Sequence, residues 1–301
     1  MKISVVGSIN MDLTVTAPRL PLRGETILGE RLDYFPGGKG ANQAFALGRL
    51  GAEVCFYGCV GRDDFGRQLI DNLSAGGVNT EHIRQLDGIK TGVALITVGQ
   101  ADHDNTIVVV AGANGHVDRD YIEAIKMDLL QSGLVLMQLE IPLDTVFYVA
   151  EICRKANIPV LLNPAPATKL PKSLLDQVTW LTPNEHEAKR VYDYEGPIET
   201  LLRQYPEKLV VTLGEAGCAA AESNGKILRI PAIKANVVDT TGAGDTFNAA
   251  FAFAISKGSS LRDAMAFANT AAGISTEKMG AQNGMPTHDE VLSRLIPSKE
   301  G

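Results

Sequence analysis

The strongest chemical signal in this 301-residue chain is the string Asp239-Thr240-Thr241-Gly242-Ala243-Gly244-Asp245-Thr246-Phe247-Asn248, which runs into the apolar residues 249–255. Glycines carry no Cβ, so backbone N–H groups can come close to an anion. A helix starting here would add unpaired donors and the positive end of its dipole. An aspartate is out of place in a pure anion cradle, because like charges repel. Asp245 makes sense there as a base that takes a proton from an attacking hydroxyl. A plainer reading is a carboxylate in the first turn of a helix, complementing its dipole. The string alone leaves both open.

Two further strings carry chemistry. Gly37-Gly38-Lys39-Gly40-Ala41-Asn42-Gln43-Ala44 joins a sharp turn to a point charge and to an amide. An amide donates and accepts, as a sugar hydroxyl does, although Asn42 also suits a simple helix start. Thr182-Pro183-Asn184-Glu185-His186-Glu187 puts Asn184 and Glu187 on one face of a first helical turn. That pair makes a capping box, or lets Glu187 hold a hydrated Mg²⁺, which keeps several of its waters. His186-Glu187 is no zinc motif, since position 190 is Arg. The common nucleotide loops fail as well: Phe247 stands at the third glycine of G-x-G-x-x-G, and no G-x-x-x-x-G-K-[ST] occurs.

Secondary structure must bring these strings together. Apolar runs at residues 3–6, 54–60, 134–139, 159–162, 178–181 and 209–213 read as strands. Helical patterns cover 41–50, 65–73, 121–130, 145–156, 185–192, 245–256, 262–275 and 288–295. The alternation predicts an α/β fold, three layers α/β/α around a mostly parallel central sheet. Residues 12–36 and 91–111 break the rhythm with strand-like alternation, a proline-rich turn, an irregular piece, and a hairpin around a polar turn at 99–105. They are expected to form a small β-sheet lid, leaving 1–11, 37–90 and 112–301 as the main domain. Polar residues follow five of the strands: Gly7, Ser8, Asn10 and Asp12; Glu140; Asn163; Thr182 and Asn184; Gly214. Ligands of open α/β sheets bind outside the carboxyl ends of the strands, so these residues point to one shared crevice.

Composition narrows the partners. With 28 Lys+Arg against 35 Asp+Glu the net charge is −7, which argues against a nucleic-acid surface. No run approaches the roughly 18 apolar residues of a membrane span, and the N-terminus reads as a strand rather than a signal peptide. Cys55, Cys59, Cys153 and Cys218 form no C-x-x-C pair and no metal spacing with His, so buried free thiols in a cytoplasmic setting are expected.

These strings together resemble the ribokinase family of ATP-dependent carbohydrate kinases. The resemblance runs from Gly7-Ser8-Ile9-Asn10-Met11-Asp12 to Lys278-Met279-Gly280-Ala281-Gln282, by way of Gly24-Glu25-Thr26, Met137-Gln138-Leu139-Glu140, Asn163-Pro164-Ala165-Pro166 and Thr212-Leu213-Gly214. Gly242-Ala243-Gly244-Asp245 marks the family; Asn10, Asp12, the Gly37–Asn42 string and Glu140 are what point to ribose. The resemblance implies phosphoryl transfer from ATP to the 5-hydroxyl of D-ribose, with Mg²⁺ required and K⁺ activating. It implies sugar contacts at Asn10, Asp12, Gly38, Lys39, Asn42 and Glu140, with Asp12 and Asn42 taking hydroxyls by paired hydrogen bonds. Asp245 would be the catalytic base, and the Gly242, Ala243 and Gly244 amides the anion hole. Nucleotide contacts would come from Asn184, Thr212, Gly214, Gly217, Gly244 and Asn269, and Mg²⁺ would be held through water by Glu187. Asp239, Thr241, Ser275, Lys278, Gly280 and Gly284 would form the K⁺ loop, mostly through backbone carbonyls. A homodimer through the β lid is also implied. The alternatives are a kinase of the same family acting on another sugar or a nucleoside, whose base would want an aromatic wall from Tyr34, Phe35 or Phe45, and a non-catalytic sugar or nucleotide sensor, for which Asp245 would be superfluous.

Overall fold

A strand covered on both faces has to be apolar along its length, and the central strands of this fold are. The computed structural model describes residues 1–101 and 104–295; Asp102 and His103, inside the expected hairpin turn, and residues 296–301 lie outside the described residues. In chain order, β1 (Ile3–Val6), β2 (Asn10–Ala17) and β3 (Arg31–Gly37) lead into α1 (Lys39–Arg49), β4 (Val54–Gly61), α2 (Asp64–Ala75) and β5 (Ile83–Leu86). Next come β6 (Gly92–Gly99), β7 (Asp104–Val110), α3 (Arg119–Leu129), β8 (Leu134–Met137), α4 (Leu143–Lys155) and β9 (Val160–Leu162). They are followed by α5 (Lys172–Leu175), β10 (Trp180–Leu181), α6 (Glu185–Tyr192), α7 (Ile198–Gln204), β11 (Val210–Thr212), β12 (Cys218–Ala221) and β13 (Ile227–Ile230). Three helices close the described chain: α8 (Ala243–Ser256), α9 (Leu261–Ser275) and α10 (His288–Arg294).

Six parallel strands in the order β10-β9-β8-β1-β4-β5 form the main sheet. An antiparallel β11-β12-β13 sheet joins its β10 edge through the Leu181–Leu209 and Asn184–Thr212 bridges. Alternate residues of one strand go to opposite cores. Ile3, Val5, Leu134 and Leu136 pack with residues of α1, α2, α8 and α9, whereas Val6, Val135 and Met137 pack with residues of α3, α4, α6 and α7. The layers are therefore α/β/α. From β1 the order runs to β4 and β5 on one side and to β8, β9 and β10 on the other, and the loops after β1 and β8 border the crevice that such a reversal opens. α8, apolar nearly all round, packs against both α1 and α9 beside that crevice.

The four-stranded β3-β2-β6-β7 sheet stands apart, with β2 and β6 parallel and the outer pairs antiparallel. Two expectations are corrected here. Residues 31–37 form a strand rather than an irregular piece, because a proline is tolerated on an edge strand and Pro36 sits on one. β2 starts at Asn10, so Asn10, Met11 and Gly37 belong to this sheet rather than to the main layer. Two main-sheet strands are shorter than expected. β8 ends at Met137, with Gln138 to Glu140 turned into the crevice loop, and Val178 donates its amide to the Leu174 carbonyl instead of joining β10.

All four cysteines are free and buried. At the amino ends of the strands, Asp128 Oδ2 accepts from Lys2 Nζ at 2.6 Å and from the Tyr57 hydroxyl and lies 3.1 Å from His82 Nε2, with Cys55 in the same cluster. Cysteine spacing gave no sign of this cluster, since its members meet only in three dimensions. Among the described residues no helix is long and apolar enough to cross a membrane.

Candidate active site

Five described helices start on a side chain that caps them: Asp63, Asp118, Asn184, Ser260 and Thr287. α1 and α8 start instead on glycines in the left-handed region, Gly38 (φ +88°) and Gly242 (φ +78°), with no side-chain cap. A Cβ on Gly38 would lie 2.8 Å from the Asn10 nitrogen, and one on Gly242 2.8 Å from the Ala281 carbonyl oxygen, so neither turn admits a side chain. The first amides of α1 are already taken: Lys39 N donates to Glu140 Oε2 at 3.0 Å and Ala41 N to the Ser8 carbonyl at 2.8 Å. At α8 the Gly242 and Gly244 amides make no hydrogen bond among the described residues, whereas Ala243 N donates to the Thr240 carbonyl at 3.2 Å. The expected three-amide anion hole is thus corrected to two open amides, because the third closes the turn.

Asp245 lies in the first turn of α8 with 7% of its surface exposed. Asn42 Nδ2 donates to its Oδ2 at 3.0 Å and Gln43 Nε2 to its Oδ1 at 2.9 Å. Burial pushes its carboxyl above the ordinary carboxylate range, opposed by the Lys39 ammonium and by these two amides. Lys39 is itself pushed upward by Asp245, Glu140, Glu187 and Asp12. Both readings of Asp245 put it in this first turn, and the structure places its carboxylate beside the open Gly242 and Gly244 amides, buried and raised by that burial.

The expected sugar contacts gather around this carboxylate. Asn10 is buried and its Oδ1 accepts from Asn114 Nδ2 at 2.7 Å. Two residues further along β2, on the same face, Asp12 has its carboxyl pushed up to about 7 by burial and by the neighbouring Glu140 and Asp245 charges. Glu140 Oε2 accepts from Ser8 Oγ at 2.6 Å as well as from Lys39 N, fixing the crevice loops to each other. Asn42 Oδ1 accepts from Gln282 Nε2 at 2.9 Å and one N–H goes to Asp245, which leaves one N–H and one lone pair of Oδ1 free to pair with a hydroxyl.

A polar cavity of about 180 Å³ adjoins Asp245, which lines it with Lys39, Asn163, Thr182, Asn184, Glu187, Thr212, Gly242 and Gly244. Asn184 and Glu187 do form the reciprocal capping box, at 2.8 Å in each direction, and Glu187 also borders this cavity with its carboxyl raised by burial. Gly214 and Gly217 shape the turn after β11; a Cβ on Gly217 would come within 2.0 Å of the Ile230 carbonyl oxygen. Asn269 borders a larger, mainly apolar cavity of about 570 Å³ with Pro231, Ile233 and Phe267, and donates to the Pro231 carbonyl at 2.6 Å. Of the expected nucleotide contacts, Asn184, Thr212 and Gly244 line the polar hollow and Asn269 the apolar one, while Gly214 and Gly217 line neither.

The expected cation positions fall into two groups. Asp239 accepts from Thr241 N at 2.9 Å, from Thr241 Oγ1 at 2.7 Å and from Gly280 N at 2.8 Å. A Cβ on Gly284 would sit 2.0 Å from the Ser275 carbonyl oxygen. Lys278 is exposed between the groups. Several site residues escaped the sequence reading: Asn114, Gln138 and Gln282, and the role of Gln43. All are buried amides whose partners lie on distant segments, so no local spacing could have found them.

Comparison with known proteins gives the family. Residues 1–288 match the pfkB family carbohydrate kinase model. The ribokinase of Bacillus subtilis (strain 168) is 45% identical over 293 residues, covering 97% of this chain and 99% of that protein. The ribokinase of Lactococcus lactis subsp. lactis is 43% identical, covering 98% and 97%. The structure of Arabidopsis thaliana ribokinase complexed with ribose and ATP is similar at a TM-score of 0.88 and 34% identity, covering 98% of this chain and 99% of that one.

Asp12 gives a test of the electrostatics. A carboxyl raised from 3.8 to about 7 destabilises the folded chain wherever it is ionised. The penalty is absent below the ordinary value, grows as pH rises toward the folded value and is complete above it. Asp12→Asn should therefore raise the thermal midpoint at about pH 8, reflecting a stabilisation of up to about 4 kcal/mol that fades by about pH 4. Melting curves across that range check it, and a variant no more stable than its parent at the upper end overturns it.

Proposed function

The chain belongs to the pfkB family of carbohydrate kinases, and on that premise we propose that it transfers the γ-phosphoryl group of ATP to the 5-hydroxyl of D-ribose, giving ribose 5-phosphate and ADP. The observation that carries this reading is the buried Asp245 carboxylate beside the open Gly242 and Gly244 amides. Both partners of a phosphoryl transfer have their receptor there: a proton acceptor for the alcohol, and donors for the phosphoryl oxygens.

Phosphoryl transfer depends on positioning and charge stabilisation more than on covalent chemistry. Asp12, Asn10 and the remaining Asn42 N–H hold the sugar hydroxyls, and the fixed loops around Gly38, Lys39 and Glu140 shape the pocket. Asp245 takes the proton of the hydroxyl as it attacks. The Gly242 and Gly244 amides and the Lys39 ammonium face the charge that develops on the transferring group; one preorganised donor is typically worth about 3 kcal/mol. Asn184, Thr212, Gly214 and Gly217 take the rest of the nucleotide on the phosphate side, and Asn269 takes the adenine side, where Pro231, Ile233 and Phe267 offer apolar surface to a flat ring.

Glu187 suits a hydrated Mg²⁺. Its carboxyl is half-buried at the rim of the polar cavity, where the Asn184 amide and, at a distance, Lys39 only partly offset its charge. The metal, when bound, neutralises phosphate oxygens. The loop formed by Asp239, Thr241, Ser275, Lys278, Gly280 and Gly284 suits K⁺, since the glycine at 284 lets its backbone close on the Ser275 carbonyl. Homodimerisation fits the lid. β7 is an edge strand whose Ile107, Val108, Val109 and Val110 are all at least half exposed, a surface that a second copy would cover.

A coupled ADP-release assay over ribose, 2-deoxyribose, fructose and adenosine tests the substrate; ribose turned over no better than fructose or adenosine removes the reading. Asp245→Asn should lower turnover by a factor on the order of 10³ and leave ribose affinity within a few-fold, because a proton acceptor acts mainly in the transition state. Rates in K⁺ should exceed those in Na⁺ at equal ionic strength, and equal rates would dismiss the cation loop. Light scattering should give twice the chain mass, reduced to a single chain by Val108→Lys; an unchanged mass would place the interface elsewhere.

A further inference from the structure

The buried amides around the base form a chain that the transfer reaction as described leaves without a role. Gln43 on α1 is fully buried, and both of its N–H groups are taken, one by Asp245 Oδ1 at 2.9 Å and the other by Asn163 Oδ1 at 3.1 Å. Its oxygen accepts from Gln138 Nε2 at 2.6 Å. Asn163 Nδ2 in turn donates to the Thr182 carbonyl at 3.1 Å. Turning the Gln43 amide over would set its oxygen against two other oxygens and its nitrogen against a nitrogen, so the network admits one orientation. Gln138 reaches Gln43 by crossing Gly7, where a Cβ would lie 2.2 Å from the Gln138 oxygen. The chain therefore ties loops after β8, β9 and β10 to one carboxylate oxygen.

We propose that Gln43, locked by Gln138 and Asn163, is the positioning residue that sets the plane of the Asp245 carboxylate toward the sugar hydroxyl. The inference rests on the reading of Asp245 as the base. A carboxylate held by one donor can swing about that bond; held on Oδ2 by Asn42 and on Oδ1 by Gln43, it cannot. The two amides also favour the ionised form, the one able to accept a proton, against burial and against the charge of Glu140. The charged groups that face Asp245 are Lys39 from α1, Asp12 from β2, Glu140 from the loop after β8 and Glu187 from α6; removing Gln43 changes none of them.

The test compares Gln43→Leu, Gln43→Glu and Gln138→Leu with the parent, measuring kcat and KM for ribose and ATP across pH, with melting curves alongside. Gln43→Leu should lower kcat by about 10- to 100-fold, as expected for a misaimed reacting group, with both KM values within about threefold. The acid limb of its kcat profile should move to higher pH, since a donor to the carboxylate is gone. Gln138→Leu, which leaves the Gln43 contact in place, should move the same quantities in the same direction by less. Gln43→Glu should be slow at high pH and recover toward acid, where the introduced carboxyl is protonated and can again donate. If Gln43→Leu does not fold, the other two variants decide the matter by the same readouts. A parental kcat and an unmoved acid limb, or kcat and KM changing together in step with lost stability, overturn the proposal while Asp245→Asn stays inactive. An active Asp245→Asn would instead remove the base reading beneath it.

Discussion

A carboxylate leaves water only at a cost, and Asp245 leaves it in the first turn of a helix that is apolar nearly all round. What makes this tolerable is a set of donors brought from other parts of the chain. Asn42 and Gln43 come from α1, Lys39 from its first residue, and the fixed ends of these donors come from Gln138, Asn163 and Gln282. α1 must therefore pack against α8 in one register, and the glycine at 38 lets the chain turn sharply enough to enter it. An ordinary helix cap at either start would occupy the amides that the site leaves open or ties to Glu140.

The order of strands explains why these donors can converge. The chain runs from β1 to β4 on one side and later to β8 on the other, so the loops after β1 and β8 face each other across a gap. Ser8 and Glu140, one from each loop, meet there at 2.6 Å, and both also touch the start of α1. Strand β2 of the separate sheet grows directly from that gap, carrying Asn10 and Asp12 on one face. The residues around Asp12 and those around Asp245 thus hang from the same few bonds, and a shift in one loop would be felt by both.

Whatever depended on neighbours in sequence was legible beforehand. The Gly242-Ala243-Gly244-Asp245 turn, the Asn184–Glu187 box and the helix at Glu185–Tyr192 all follow from local geometry, and the structure has them. The doubly covered strands were legible too, since an apolar run cannot face water on either side. β3 was not, because its residues alternate weakly and end in a proline, and only pairing with β2 makes them a strand. Gln138 and Gln282 were invisible for a different reason. A glutamine is commonplace on any surface, and its function here comes from partners 95 and 240 residues away. The Ala243 amide illustrates the opposite error: the motif was right, but a turn hydrogen bond to Thr240 removes one of its donors.

Charge sets the last constraint. Asp12, Glu140, Glu187 and Asp245 face one lysine, and burial has already driven the Asp12 carboxyl to about 7. A triphosphate entering this crevice would meet carboxylates of its own sign, two of them, Asp12 and Asp245, already raised toward protonation, with two open amides and one ammonium to receive it. The same balance explains why Lys39 stands at the uncapped start of α1. From there its ammonium serves Asp245, Glu140, Glu187 and Asp12 together, and moving it by one helical residue, a rotation of about 100°, would leave the Asp245 carboxylate with only its two amide donors.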